Sequence, residues 1–156
     1  MNKGVCLLLA LVCGVSIQSL AQATEPFSLA LSASQTELQR GAQVDVAIRL
    51  TNTSDRILTL LTTFAEMDYR VTVVSVDGRA VSATQYGRSL MGAGVVPTSR
   101  VFVNLKPKEV LTDHLVVSEL YEMDVPGTYE IQVQRKLPET PEGGPMKSNS
   151  IIVKVK

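Results

Sequence analysis

Asp124-Val125-Pro126-Gly127-Thr128-Tyr129-Glu130-Ile131-Gln132-Val133 is the stretch on which the fold turns. Pro126 and Gly127 break the chain, and Gly127 permits a tight bend. From Tyr129 onward apolar and polar residues alternate: Tyr129, Ile131 and Val133 against Glu130, Gln132 and Gln134. Successive side chains of a strand point to opposite faces, so this pattern describes a strand with one buried and one solvated face.

The same period of two recurs along the chain. In Val44–Leu50 the residues Val44, Val46, Ile48 and Leu50 alternate with Asp45, Ala47 and Arg49. Phe27, Leu29 and Leu31 form another set, as do Tyr69, Val71 and Val73, then Val101, Val103 and Leu105, and finally Ile151, Val153 and Val155. Ile57–Phe64 is rich in Leu and Thr and reads as a strand buried on both sides for part of its length.

Turn residues separate these runs. Thr51-Asn52-Thr53-Ser54-Asp55 can close turns through side-chain hydrogen bonds to the backbone. Asp77-Gly78 stands between Val73–Val76 and Ala80–Val81 and signals a two-residue hairpin. Lys136–Asn149 holds three prolines and two glycines and reads as an exposed, mobile loop. Only Ser118–Met123 has a helical character, with Ser118 as the cap of one turn.

Seven or eight short strands with almost no helix predict an all-β, antiparallel, immunoglobulin-like β-sandwich. Such sandwiches place a tyrosine at the start of a late strand, its hydroxyl bonded back to nearby backbone, and Gly127 with Tyr129 fits that structural tyrosine corner. Where antibody domains carry a cysteine two residues after that tyrosine, this chain has Ile131.

Composition narrows the possible chemistry. The 156 residues hold 15 basic and 15 acidic side chains, one histidine, two cysteines and no tryptophan. A zero formal charge argues against a nucleic-acid binder. Residues 1–23 read as a cleaved signal peptide: Lys3 gives a positive start, Val5–Val15 is apolar, and Ala21 and Ala23 flank Gln22 at the cleavage site. The apolar run is too short to span ~30 Å of hydrocarbon, so no stable membrane insertion is expected after cleavage. Both Cys6 and Cys13 leave with the leader, as does Lys3, so residues 24–156 carry one more acid than base and no thiol. The product is expected in the periplasm or outside the cell, as a single domain held by its core rather than by disulfides.

His114 is the sole imidazole, but its neighbour Asp113 points to the other face of a strand and is badly placed to orient it in a triad. Glu66 and Asp68, with Asp45 or Asp124, lack the spacing of a calcium loop and read as solvated carboxylates. Gly87, Gly92 and Gly94 are not followed by the Lys-Ser/Thr pair of a phosphate loop. Asn52-Thr53-Ser54 matches a glycosylation acceptor. No catalytic residue, metal site or cofactor is therefore expected. Ser82–Ser99 is long for a sandwich connection, and Tyr86, Arg88, Leu90 and Met91 make it the candidate binding loop.

Several landmarks together carry a resemblance. Leu50-Thr51-Asn52-Thr53-Ser54-Asp55, Asp77-Gly78, Leu105-Lys106-Pro107-Lys108-Glu109, Glu119-Leu120-Tyr121, Pro126-Gly127-Thr128-Tyr129 and Lys147-Ser148-Asn149 follow one another in an order that resembles small immunoglobulin-like domains of secreted bacterial proteins. The order is also similar to the β-sandwich that precedes the catalytic domain of deuterolysin-like, lysine-specific metalloendopeptidases, and more weakly to the all-β intracellular proteinase inhibitors of bacilli. Lys108 stands where the endopeptidase pattern has glycine, and the His-Glu-x-x-His motif of the protease is not in the sequence. The resemblance implies a fold and does not imply peptidase activity. The expected function is an exported, non-enzymatic module acting on a protein partner. The alternative is a protease inhibitor presenting residues 84–98, with Arg88 or Leu90 in the specificity pocket.

Overall fold

A computed structural model describes residues 25–92, 99–136 and 144–156; the expected leader lies outside the described residues. The strands are β1 (Phe27–Ala33), β2 (Glu37–Leu38), β3 (Asp45–Asn52), β4 (Leu58–Thr62), β5 (Arg70–Ser75), β6 (Val101–Leu105), β7 (Val110–Val116), β8 (Gly127–Arg135), β9 (Met146–Lys147) and β10 (Ile151–Val155). Three short helices interrupt them: α1 (Ala65–Asp68), α2 (Gln85–Met91) and α3 (Val117–Leu120).

The chain is an immunoglobulin-like β-sandwich. One sheet has the order β1-β3-β7, and the facing sheet has the order β2-β10-β8-β5 with β9 added along β8. Among the described residues every pairing is antiparallel except β2 on β10, which is parallel. Alternation sets the register. Leu29 and Leu31 lie opposite Leu50 and Ile48, and Val46 lies opposite Leu115, so all six fill the inner face of the first sheet. Val71, Val73, Ile131, Val133, Val153 and Val155 fill the inner face of the second and join the same apolar cluster. Each fully buried aliphatic side chain contributes about 1.5–3 kcal/mol relative to exposure, which is how a domain without disulfides is held.

Polar groups also occupy the inward phase, among them Asn52, Ser75, Asp113 and Arg135. Asp113 lies opposite Ile48 on β7 and accepts the Tyr69 hydroxyl at 2.7 Å, which ties the first sheet to the chain entering β5. Arg135 continues the inward set of β8 and is only 4% exposed. Its guanidinium donates to the Leu61 carbonyl at 3.1 Å, lies 3.5 Å from the Asp68 carboxylate and stacks 5.0 Å from the Tyr69 ring centre.

Local expectations fared unevenly. Of Ile57–Phe64 only Leu60 is buried, because β4 pairs with β6 as a separate two-stranded ribbon that has one side to solvent. Asp77-Gly78 does turn the chain, with Gly78 at φ 83°, but no hairpin follows: β5 pairs with β8 instead. Ser118 does not cap α3, whose N-cap is Val116; its hydroxyl accepts the Val44 amide. Within Lys136–Asn149, residues 137–143 lie outside the described residues, but Met146–Lys147 forms β9. Asn149 is bound in the same region: its side chain accepts the Leu31 amide at 2.9 Å and donates to the Leu31 carbonyl at 3.0 Å, the pairing a strand residue would offer.

Asn52 is fully buried, its amide nitrogen donating to the Arg56 and Leu105 carbonyls, so it is not available as a glycosylation acceptor. Its side-chain oxygen accepts from both the amide and the hydroxyl of Ser54 and closes the turn. Lys108 keeps the left-handed conformation at φ 69° in the turn where the endopeptidase pattern has glycine. Gly127 is the first residue of β8 and is not among the left-handed glycines; a Cβ there would lie 2.9 Å from the Arg79 guanidinium, so close approach rather than a bend describes its surroundings.

Candidate functional site

The expected binding loop is largely a helix. Thr84 ends the preceding extended segment, its hydroxyl accepting the Gly87 amide at 2.9 Å as an N-cap while donating to the Glu119 carbonyl. The backbone of residues 82–84 is stitched to residues 120–122: Thr84 N–H donates to Leu120 O, and Glu122 N–H donates to Ser82 O, both at 2.9 Å. Gly87 lets α2 press onto α3, since a Cβ there would stand 2.2 Å from the Leu120 carbonyl oxygen.

This arrangement makes a groove of roughly 580 Å³ between α2 and the edge of the second sheet. Gly87, Leu90 and Met91 form one wall, and β5 residues 70–73 form the other. Leu120 and Tyr121 lie between them, and Glu66 stands at the α1 end. Leu90 packs partly against the core, while Met91 is 58% exposed. Tyr86, 46% exposed, lies within the field of Glu66 and Glu119; partial burial first, then those two carboxylates, push its phenol above the usual range. Arg88 is turned back, its guanidinium donating to the Ala83 carbonyl. Of the four predicted contact residues, then, Leu90 and Met91 line the groove, while Tyr86 and Arg88 do not.

The groove also contains what sequence reading did not supply: a free strand edge. β5 ends the sheet, with β8 its one pairing partner among the described residues. The Tyr121 hydroxyl donates to the Val71 carbonyl at 2.8 Å, so the Val71 backbone faces the groove. In an antiparallel ladder the hydrogen-bonding direction alternates along the strand. Val73 therefore also directs its N–H and C=O into the groove, while Thr72 turns toward β8. Tyr121 is partly buried, which raises its phenol pKa, with Arg70 opposing that shift.

The other singled-out residues lie elsewhere. Tyr129 is buried at the base of β8 and its hydroxyl donates to the Val125 carbonyl at 2.5 Å, four residues upstream. His114 points outward, its imidazole 3.7 Å from Asp45, while Asp113 is engaged with Tyr69. Asp68 accepts the Thr63 amide and hydroxyl and faces Arg135, so it is not a solvated loop carboxylate. Among the described residues no three metal-ligating side chains gather, and no helix is long and apolar enough to cross a membrane.

No protein-family model matches the chain, and no curated protein sequence matches it significantly. Among solved structures it is similar to the C-terminal domain of Wzt, with a TM-score of 0.49 and 13% identity over 85% of this chain and 75% of that one. It is also similar to part of a beta-glucosidase from Listeria innocua, with a TM-score of 0.42 and 16% identity over 83% of this chain. The chain spans 16% of that enzyme's length. Similarity at this level carries no conclusion about activity.

Proposed function

We propose that the chain is an exported, non-enzymatic module that acts through protein contacts, and that the groove between α2 and β5 is its contact surface. The single observation behind this is the meeting of an apolar wall with an unpaired sheet edge, beside an exposed methionine and a half-exposed tyrosine. Apolar and aromatic side chains next to unpaired backbone donors and acceptors are what a peptide or protein partner can use. Export rests on the three-part leader at residues 1–23.

The inhibitor reading has less support. A substrate-like inhibitor offers an extended segment to the protease, whereas Gln85–Met91 is helical and Arg88 is bonded to its own backbone. A photo-crosslinking amino acid at position 91, in the producing cell, should give discrete adducts of higher mass. The same group at position 152, on an exposed site of β10, should not. Absence of adducts from positions 86, 90 and 91 alike would remove the proposal.

A further inference from the structure

We infer that the groove takes an extended peptide as an added strand, antiparallel to β5, with apolar side chains at alternate positions and a basic residue toward its C-terminal end. This rests on the groove being the contact surface and goes further by naming the occupant.

The backbone decides the mode. Val73 presents an N–H and a C=O to the groove with no strand beyond them among the described residues, and Val71 presents its N–H. An incoming strand residue opposite Val73 exchanges both bonds with it, and its side chain then falls on the same face as that of Val73. Val71 and Val73 face the core side, toward Leu90, Met91 and Leu120, so the residues opposite them must be apolar. The residue between them falls beside Thr72 on the solvent face and is polar.

Antiparallel pairing is the more stable per residue, and charge then sets the final position. Glu66 lines the groove and pairs with no cation among the described residues. Glu66 precedes Arg70 in the chain, so it stands at the Val71 end of the edge rather than the Val73 end. An antiparallel peptide reaches that end with its C-terminal part. Arg70 lies on the solvent face with Thr72, which disfavours a base in the phase opposite it. The base therefore belongs in the groove-facing phase, two residues after the apolar residue opposite Val71. The Tyr121 hydroxyl holds the one acceptor, the Val71 carbonyl, that an arriving N–H would otherwise use. It acts as a placeholder that limits how far the added strand pairs.

The test uses a fluorescein-labelled heptapeptide with leucine at positions 2 and 4, lysine at 6 and threonine elsewhere, titrated against the purified protein by fluorescence polarisation. Binding is expected, and slower exchange of the Val73 amide should accompany it. Methylating the backbone nitrogen of the leucine at position 2, which donates to Val73, should abolish binding, while methylating positions 3 and 5 should leave it within about twofold, because alternate amides face alternate sides. Met91→Glu should weaken binding on the order of tenfold, and glutamate for the probe lysine should weaken it as well. Tyr121→Phe frees the Val71 carbonyl and should tighten binding about threefold, the worth of one modest hydrogen bond; unchanged or weaker binding overturns that pairing. Binding that ignores the phase of methylation overturns strand addition while position-91 crosslinks keep the contact surface intact. Failure of both the peptide and the crosslinks overturns both.

Discussion

Asp68→Ala and Arg135→Met both break the same buried ion pair, yet they should differ by a factor of two or more in cost. The two side chains are 11% and 3% exposed and stand 3.5 Å apart. Asp68 does not depend on Arg135 alone, because it also accepts the Thr63 amide at 3.1 Å and the Thr63 hydroxyl at 2.8 Å. Arg135 is less well provided for: Nη2 donates to Leu61, while Nη1 is buried with no hydrogen-bond partner among the described residues. Removing Asp68 leaves a buried cation without its counter-charge, which costs ~3–5 kcal/mol. Replacing Arg135 with methionine loses the bond to Leu61 and the contact over the Tyr69 ring. It also removes the unpartnered nitrogen and leaves Asp68 bonded to Thr63, so the net cost should be about 1–2 kcal/mol. Urea midpoints at pH 7, with unchanged slopes, measure both values. The double variant should be more stable than Asp68→Ala alone, because the stranded cation is gone. If Arg135→Met is as damaging as Asp68→Ala, or the double variant is worse than either, the reasoning fails.

Three further outcomes follow from single positions. Lys108→Gly should raise stability by about 0.5 kcal/mol, since relief of the left-handed strain at φ 69° exceeds the extra chain entropy of glycine; a lower urea midpoint would contradict this. Burial above all, and the bond to Asp113 next, hold the Tyr69 phenol well above its ordinary value. The unfolded chain then loses its proton first, so stability should be intact below pH ~10 and fall above it, by up to ~1.4 kcal/mol per pH unit. Tyr69→Phe should flatten that alkaline slope, and an unchanged slope would assign it to other groups. Gly87→Ala would gain ~1 kcal/mol from helix propensity alone, but its Cβ would meet the Leu120 carbonyl oxygen at 2.2 Å. A net loss of thermal stability is therefore expected, and a net gain would mean that α2 is not held against α3.

The sandwich was legible because period-two alternation is a local property: whichever neighbour a strand finds, its apolar face must be covered. Leu29, Ile48, Ile131 and Val153 are buried for that reason alone. Arg135 obeys the same phase as Tyr129, Ile131 and Val133, so its inward position was written in the alternation, although its partners were not. Asp68, Tyr69 and Leu61 meet it only because β4, α1 and β8 converge.

The groove shows where sequence stops. Leu90 and Met91 could be singled out as apolar residues in a long connection, but the glycines around them favoured a loop. Gly87 sits inside a helix because the Leu120 backbone lies too close for any side chain, a contact between segments more than thirty residues apart. The hydrogen bond of Tyr121 to Val71 spans fifty residues. By itself the sequence determined an all-β chain with aliphatic inner faces and an amino-terminal stretch of leader character. Only the tertiary structure decided that β5 would be an edge strand, that a capped helix would stand beside it, and that a groove would lie between them. An edge is defined by the strand that is missing next to it, and no local pattern of side chains records that.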